Sequence, residues 1–478
     1  MVRLFIFNLN FLNKKAMKNI LIFLAFYPLI GFSQIPGSIT PEKLEKIRKN
    51  FNSSDPVIKA ATNAATENNL KKLTLNRQNV GKIDHNFKYK VSVKGITDQK
   101  NSGRCWMFTS LNVMRPKVIA KIGSDNFEFS TNYLYFWDQF EKANLFLEGI
   151  ISTANLPVDD RTVVWLMDNA LGDGGVWNLF ADLVEKYGII PKSAMQETEN
   201  SENTDLMQKI IRSKLREDAL VLREFIYKKS DKPAIDEKKL QMLGEVYKML
   251  AICLGEPPTK FQWRYNDKDN KLTEYKEYTP KSFYDEYVGV KLSDYVLLMD
   301  DPTHDYNKLY EIEYDRNMFE GTNWKFINLP STIIKEYARK SIMENEALYF
   351  SCDVGKQLNS EDGYLSLDNY DVESLFGVKF GMNKKQRIQT RESGSTHGMA
   401  LVGCDVDANN KITKWQLENS WGTKAGHDGY LTMTDEWFDQ YMFRIVVNKK
   451  FVDPQTLKIL EQIPLKLPPW DPMFEADK

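Results

Sequence analysis

The sequence contains few residues of the kinds that build metal sites and disulfide-rich folds. Only four cysteines and four histidines occur in 478 residues, and no two cysteines form a C-x-x-C pair. A zinc ribbon and a dense disulfide framework are therefore excluded, because both need closely spaced cysteines or histidines. Metal-binding and nucleotide-binding motifs are absent as well, so the sequence predicts no cofactor and no metal.

The chain also lacks an excess of charge of either sign. Lys and Arg total 64 and Asp and Glu total 65, which gives a formal net charge of −1. Nucleic acid and membrane surfaces are thus excluded as main partners, since their binding needs a basic patch or block. The length and the 42% hydrophobic content are typical of a globular protein with more than one structural unit. A small or peptide-like substrate fits this composition.

Long apolar stretches are confined to the N-terminus. From Met17 the chain reads MKNILIFLAFYPLIGFSQ, with a lysine, an apolar run and small residues at Gly31 and Ser33. This pattern predicts a secretory signal peptide, residues 1–33, because the run is short for a membrane span. The mature protein is then exported, periplasmic or extracellular, with no stable membrane insertion. An uncleaved anchor is the alternative, and Met17 competes with Met1 as the true start.

Changes in texture divide the rest of the chain into five predicted segments. They are a polar helical lead-in at 34–84, a helical half at 85–199, an inserted helical subdomain at 200–285, a β-rich half at 286–450 and a C-terminal arm at 451–478. We expect a helix capped by Thr40 with Pro41 in its first turn, and long charged helices in the insertion. A further helix is expected from near Ser102 to Pro116, and another capped by Ser130 or Thr131. Runs such as HGMALVGCDVD and FRIVVNK predict strands. Helices first and strands later predict an α+β enzyme with two catalytic halves.

One cysteine lies where a helix is expected to begin. The stretch SGRCWMF, residues 102–108, places Cys105 at that point. A helix N-terminus stabilises a thiolate through its unpaired N–H groups and the positive end of its dipole. Such a nucleophile also needs a neutral histidine, oriented by a third polar group, as its base. The alternative is an inert buried thiol.

Only four histidines can serve as that base: His85, His304, His397 and His427. His397 opens the strand-like run STHGMALVGCD, which would hold its ring on rigid structure at the edge of a cleft. The other three lie in polar or glycine-rich surroundings with no partner motif. Taken alone, a histidine that begins a strand is more often structural than catalytic.

Two further stretches supply the missing chemistry. WQLENSWGTKAGHDGYLTM contains Asn419, whose carbonyl can accept the imidazole N–H, and Trp421, whose indole can exclude water from that bond. Gln99, six residues before Cys105, can donate its amide to a developing oxyanion beside the cysteine backbone N–H. The sequence therefore offers a nucleophile, a base, an orienting group and an oxyanion donor.

Together these stretches resemble a known family. QKNSGRCW, THGMALVG and ENSWGTKAGHDGYL are similar to the papain-like cysteine peptidases. DGGVWNLFADLVEKYGIIPKSAMQET, YFSCDVGK and the closing LPPWDPM resemble the bleomycin hydrolase or aminopeptidase C branch in particular. The resemblance runs from about residue 85 to the end of the chain. It implies the papain-like α+β fold, with a helical half, a β-barrel-like half and an inserted helical subdomain.

The resemblance also implies roles for individual residues. Cys105, His397 and Asn419 match the catalytic triad, and Gln99 matches the oxyanion donor. The implied activity is that of a cysteine aminopeptidase, which cleaves peptides with free N-termini through a thioester.

Two pairs of residues in the same region are informative by comparison with the wider family. Gly174 and Gly175 match a glycine pair along which a substrate backbone lies. Ser102 and Gly172 stand where many papain-like enzymes have the two halves of a disulfide. Both cysteines of that disulfide are absent, so neither position is left with an unpaired thiol.

The C-terminal arm and the helical insertion carry the remaining expectations. In the aminopeptidase C branch the arm lies in the active-site cleft, and its terminal carboxylate receives the substrate's α-ammonium. Lys478, or Asp477 after removal of Lys478, would then bind substrate. In the same branch such an insertion is associated with ring-shaped oligomers, so the resemblance implies a homo-hexamer. A secreted endopeptidase and a non-catalytic ring-shaped scaffold are the alternative functions.

Overall fold

The computed structural model of the protein describes residues 35–124 and 127–474. The predicted signal peptide, residues 1–33, and the predicted substrate-binding residues Asp477 and Lys478 lie outside those ranges. Among the described residues, no helix is both long enough and apolar enough to cross a membrane. The chain divides into two compact units, the first ending at Thr74 and the second beginning at Leu75.

The described part of the first unit, residues 35–74, contains three helices: α1 (Pro41–Arg48), α2 (Pro56–Glu67) and α3 (Leu70–Thr74). Thr40 caps α1 by accepting a hydrogen bond from the Lys43 amide, and Pro41 occupies the first turn, as predicted. No residue of α1 or α2 is buried.

Most helices of the described residues belong to the second unit. In chain order they are α4 (Arg77–Val80), α5 (Cys105–Ile122), α6 (Thr131–Ser152), α7 (Arg161–Asp168), α8 (Trp177–Tyr187), α9 (Glu199–Glu202), α10 (Asp205–Tyr227), α11 (Lys232–Leu254), α12 (Pro280–Tyr287), α13 (Ser331–Met343), α14 (Val372–Phe376), α15 (Lys384–Gln389), α16 (Asp435–Tyr441) and α17 (Pro454–Leu457). Short 3₁₀ turns lie at Lys192–Ala194, Leu292–Asp294, Lys449–Phe451 and Lys458–Glu461.

The strands form one large mixed sheet and one hairpin. In chain order they are β1 (Tyr89–Lys90), β2 (Phe261–Trp263), β3 (Lys276–Tyr278), β4 (Tyr295–Met299), β5 (Lys308–Ile312), β6 (Lys325–Asn328), β7 (Leu348–Cys352), β8 (Leu358–Asn359), β9 (Tyr364–Leu365), β10 (His397–Val406), β11 (Ile412–Glu418), β12 (Tyr430–Thr434), β13 (Met442–Asn448) and β14 (Leu465–Leu467). The sheet order is β14-β5-β6-β4-β13-β7-β10-β11-β12-β9-β8, with β1 paired to β10, and β2 pairs with β3. Helices thus precede most strands, which confirms the predicted α+β class.

Several sequence predictions of individual elements are confirmed. Ser130 caps α6 by accepting a hydrogen bond from the Tyr133 amide. The predicted charged helices are α10 and α11, each of which places one apolar stripe against the core. The predicted strands around His397 and Arg444 are β10 and β13.

One predicted helix end is wrong. Helix α5 continues through Pro116 to Ile122 and ends at Gly123, which adopts the left-handed conformation with φ 68°. Proline removes one backbone hydrogen bond, but Val118 and Ile122 beyond it are buried in the core. Their burial stabilises the helix past the proline, so tertiary packing overrides the local signal.

The sheet places two predicted site residues at one of its ends. His397 is the first residue of β10, and Asn419 directly follows the last residue of β11. The two strands are antiparallel neighbours, with Ala400 opposite Glu418. The start of one strand therefore lies beside the end of the other.

The C-terminal segment packs into the body of the second unit. β14 pairs in parallel with β5, and the turn that follows buries Asp471, Met473 and Phe474. Arg161 stacks on Trp470, with the guanidinium carbon 4.2 Å from the ring centroid. Apolar burial of Met473 and Phe474 explains why a proline-rich sequence is held in place here.

Candidate active site

Two backbones approach closely at the centre of the site. A Cβ atom on Gly398 would lie 3.4 Å from the Cα of Trp106 and 3.3 Å from Thr109 Oγ1. Trp106 follows Cys105 at the start of α5, and Gly398 follows His397 at the start of β10. Because the two contact residues adjoin the thiol and the imidazole in sequence, this close approach brings Cys105 and His397 to one place. Both line the same cavity.

The local structure of α5 favours a reactive thiol. Arg104, the residue before the helix, forms no side-chain cap. Its guanidinium instead pairs with Glu197 at 2.8 Å and is fully buried. The positive end of the dipole of this eighteen-residue helix lies at Cys105, which is partly buried.

Asn419 fixes the tautomer of His397. Asn419 Oδ1 lies 2.8 Å from His397 Nε2 and 2.8 Å from the backbone nitrogen of Ser420. A backbone N–H can only donate, so the amide atom that it meets is the oxygen. His397 Nε2 must then carry a proton and donate it to the same oxygen, which leaves Nδ1 as the basic nitrogen.

Trp421 shields the imidazole from water. The ring centroids of His397 and Trp421 are 4.7 Å apart, with the planes tilted by 30°. His397 is 7% exposed. Burial lowers the pKa of His397 to about 4, and the hydrogen bond to Asn419 opposes that shift. The ring is therefore neutral at physiological pH and able to accept a proton.

Two hydrogen bonds position the side chain of Gln99 and leave one N–H of its amide available as a donor. Its Nε2 donates to the Ser102 carbonyl at 2.7 Å, and its Oε1 accepts from Ser420 Oγ at 2.6 Å. A primary amide has two N–H donors, so one remains for an oxyanion in the cavity that Gln99 lines.

Ser420 is a residue of the site that the sequence analysis did not single out. It joins the oxyanion donor to the orienting residue, because its hydroxyl contacts Gln99 and its amide contacts Asn419. Its position directly after Asn419 in the quoted motif was the signal that could have indicated it.

Asp173 is a second such residue, and it connects the cysteine loop to the glycine loop. Its Oδ2 accepts from the Gly103 amide at 2.8 Å and from Thr204 Oγ1, and its Oδ1 accepts from Tyr135 at 2.7 Å. Its backbone carbonyl accepts from Trp106 Nε1 at 2.7 Å. Gly103 and Asp173 directly follow Ser102 and Gly172, the positions of the absent disulfide. A carboxylate thus supplies the link between the two loops.

The glycine pair lines the cavity but serves packing as well. A Cβ atom on Gly175 would lie 2.5 Å from Trp106 Cε2, so this position needs glycine to admit the indole. Gly174 is exposed, and its carbonyl accepts from Lys142 Nζ at 2.7 Å.

The cavity has a volume of about 1080 Å³ and receives the C-terminal segment. Its walls bring together Gln99, Cys105, His397, Trp421 and both glycines. Pro469 and Phe474 line it as well. The arm therefore reaches the cleft as far as residue 474.

The other histidines and cysteines lie outside this cavity. His85 and His427 stack with centroids 3.9 Å apart, and His304 contacts Asp471. None of the four cysteines, all within the described ranges, is in a disulfide. Cys352 and Cys404 are fully buried, as expected for core residues.

Comparisons with known proteins agree on one family. Residues 38–474 match the Peptidase C1-like family. The chain is 40% identical to human bleomycin hydrolase over 448 residues, which cover 91% of this chain and 98% of the relative. It is 38% identical to aminopeptidase C of Listeria monocytogenes, over 87% of this chain and 92% of the relative. The crystal structure of PepW from Lactobacillus rhamnosis HN001 has a TM-score of 0.89 and 36% identity, and covers 92% of this chain and 99% of that one. The resemblance and the predicted papain-like fold are confirmed.

Proposed function

The chain belongs to the Peptidase C1-like family and is a cysteine aminopeptidase, and from this premise we propose that Cys105, His397 and Asn419 are its catalytic triad. The observation that supports this most strongly is the tautomer of His397. The hydrogen bond from Nε2 to Asn419 leaves Nδ1 as a base, and the imidazole lines the same cavity as the thiol.

The proposed reaction proceeds through a thioester. His397 Nδ1 takes the Cys105 thiol proton, and the thiolate attacks the scissile carbonyl while Gln99 and the helix N-terminus hold the oxyanion. The imidazolium then protonates the leaving amine as the C–N bond breaks. Neutral His397 next accepts a proton from water as the water oxygen attacks the thioester carbonyl. The C–S bond breaks to release the acyl group as a carboxylic acid, and the imidazolium returns its proton to the Cys105 thiolate.

We further propose that the arm selects free N-termini. Pro469 and Phe474 line the cavity, so the described part of the arm ends at the cleft, and four more residues follow in the sequence. Three of them offer negative charge, through Glu475, Asp477 and the terminal carboxylate of Lys478. An α-ammonium group would pair with such a carboxylate at a fixed distance from the thiolate.

Cleavage of a free aminoacyl fluorogenic amide and of its N-acetylated twin tests this proposal. Protein beginning at Gln34 and kept reduced should cleave only the free form, because acetylation removes the ammonium charge. A variant lacking residues 475–478 should gain activity on the acetylated twin. Equal cleavage of both substrates by the full chain would instead show a secreted endopeptidase.

Substitution of the nucleophile and of the base separates an enzyme from a scaffold. Cys105→Ser and His397→Ala should each lower kcat/KM by at least about a thousandfold, since the triad acts as a unit. Cys253→Ser, at a partly buried thiol outside the cavity, is the matched control and should retain activity. Full turnover by either triad variant would refute the assignment.

We also propose that the protein is exported and assembles as a homo-hexameric ring. The N-terminal sequence supports export, and exposed apolar side chains support assembly. Four of these occur within seven residues, at Phe376, Val378, Phe380 and Met382.

A further inference from the structure

A second cluster of ligand-type side chains lies at the base of the C-terminal arm. It consists of Asp301 and His304, in the loop after β4, and Asp471, in the turn after β14. One potential ligand atom from each residue lies within 4.8 Å of the other two. His304 Nε2 is 3.0 Å from Asp471 Oδ2 and 3.8 Å from Asp301 Oδ2. The catalytic residues are not part of this cluster.

The Asp301 carboxylate is only half satisfied. Its Oδ1 accepts hydrogen bonds from the Thr303 backbone amide at 2.8 Å and from the Thr303 hydroxyl at 2.6 Å. Its Oδ2 is buried, points at His304 and has no hydrogen-bond partner among the described residues. Asp301 as a whole is 0% exposed. A buried carboxylate oxygen without a donor is costly unless a cation or a proton meets it.

Other polar groups near the cluster are already engaged. Lys384 is bound by Asp300, with Nζ 2.6 Å from Oδ2. Asn328 donates its amide to the carbonyls of Asp301, His304 and Asp305, which holds the loop in shape. Two carboxylates and one imidazole thus converge where a preformed loop meets the turn after β14. The His304 side chain is 23% exposed and offers a route in from solvent.

We propose that Asp301, His304 and Asp471 bind one zinc ion that fastens the C-terminal arm to the body of the protein. In a tetrahedral zinc site with ligands about 2.0–2.2 Å from the ion, neighbouring ligand atoms lie about 3.4 Å apart. This separation falls between the 3.0 Å and 3.8 Å that separate His304 Nε2 from Asp471 Oδ2 and Asp301 Oδ2. One nitrogen and two oxygen ligands suit zinc, whereas calcium and magnesium prefer oxygen alone. Water would complete the coordination.

The position of this site gives the ion a structural role. Asp471 lies three residues before Phe474, which lines the active-site cavity. A bond between the ion and Asp471 would order the turn from Pro468 to Phe474, and so would set where the final residues begin. The ion takes no part in the chemistry at Cys105, and the sequence motifs gave no sign of it because its ligands come from distant segments.

Zinc binding can be measured without relying on enzyme activity. The parent for the test carries Cys105→Ser, because the thiol would itself bind zinc. After treatment with EDTA and removal of the chelator, calorimetric titration with zinc chloride should show one site per chain. Asp301→Asn and Asp471→Asn should each weaken binding at least tenfold, since a neutral amide is a poor zinc ligand. Asp305→Asn, at an exposed position in the same loop, is the matched control and should bind as the parent does.

A thermal melt of each variant with and without zinc provides the second readout. The parent and Asp305→Asn should melt higher with zinc, whereas the two ligand variants should not shift. Melts without zinc verify folding, and if Asp301→Asn is unfolded then Asp471→Asn carries the test. A parent that binds no zinc, or ligand variants that bind like the parent, would overturn the proposal.

Discussion

The protonation of His397 decides how the enzyme responds to acid. Burial lowers its pKa to about 4, whereas an exposed imidazole titrates near 6.5. Only the neutral ring can take the thiol proton, so kcat/KM should fall as the pH drops through the pKa of the folded enzyme. We expect the acid limb of the profile well below pH 6.5, near pH 4. A midpoint at or above 6.5 would show that burial does not control this group.

Two variants should move that limb in opposite directions. Trp421→Ala admits water to the ring, weakens the effect of burial and should shift the limb to higher pH. Asn419→Ala removes a hydrogen bond that raises the pKa of His397, so it should shift the limb to lower pH. It should also lower kcat/KM, though less than His397→Ala does. The pH profiles of both variants check these signs, and shifts in the same direction would contradict the account.

At the residue scale, the sequence predicted the groups with distinctive chemistry. Cys105, His397, Asn419 and Gln99 each lie in a short motif that indicates a role. The structure places Gln99, Cys105 and His397 around one cavity, and Asn419 is hydrogen-bonded to His397. Asp173 and Ser420 act only through hydrogen bonds to residues remote in sequence. No local pattern distinguishes such a residue from an ordinary loop residue.

At the element scale, Asp173 should matter for the position of α5. It accepts from Gly103, Thr204 and Tyr135, which lie on three different segments. Asp173→Asn replaces one acceptor oxygen by a donor and leaves a partner unsatisfied, which should lower the free energy of unfolding by about 1–3 kcal/mol. Because α5 begins at Cys105, kcat should fall as well.

Urea denaturation and steady-state kinetics measure the two effects of Asp173→Asn. Asp159→Asn, at an exposed position before α7, is the control and should change neither value. A variant as stable and as active as the control would show that the carboxylate does not hold the two loops together.

Predictions of whole elements succeeded where one signal dominates. Caps and apolar periodicity located α1, α6, α10 and α11, because each begins at a side-chain cap or carries a regular apolar stripe. The predicted end of α5 was wrong because burial of the residues beyond Pro116 stabilises the helix more than the missing hydrogen bond destabilises it. The short strands β5 and β14 were missed, since their pairing depends on segments far apart in the chain.

At the scale of the whole molecule, assembly can be tested by mass. Light scattering on the mature protein should give six times the mass of one chain if the proposed ring forms. Phe376→Asp should lower that mass, because it places a charge in the exposed apolar segment 376–382. Phe319→Asp is matched in exposure, 52% against 51%, and should leave the mass unchanged. A single-chain mass for the parent would refute the ring.

Because the cysteines form no disulfide, folding and activity should respond differently to oxidants. All four cysteines are unbridged, and burial raises the pKa of the thiols of Cys352 and Cys404, which keeps them protonated. The native structure therefore owes nothing to the redox potential of the compartment that holds it. The nucleophile, in contrast, works only as a reduced thiol. In an oxidising compartment, such as the one that the proposed export would reach, mild oxidation would inactivate the enzyme and a reductant would restore it, with the melting temperature unchanged.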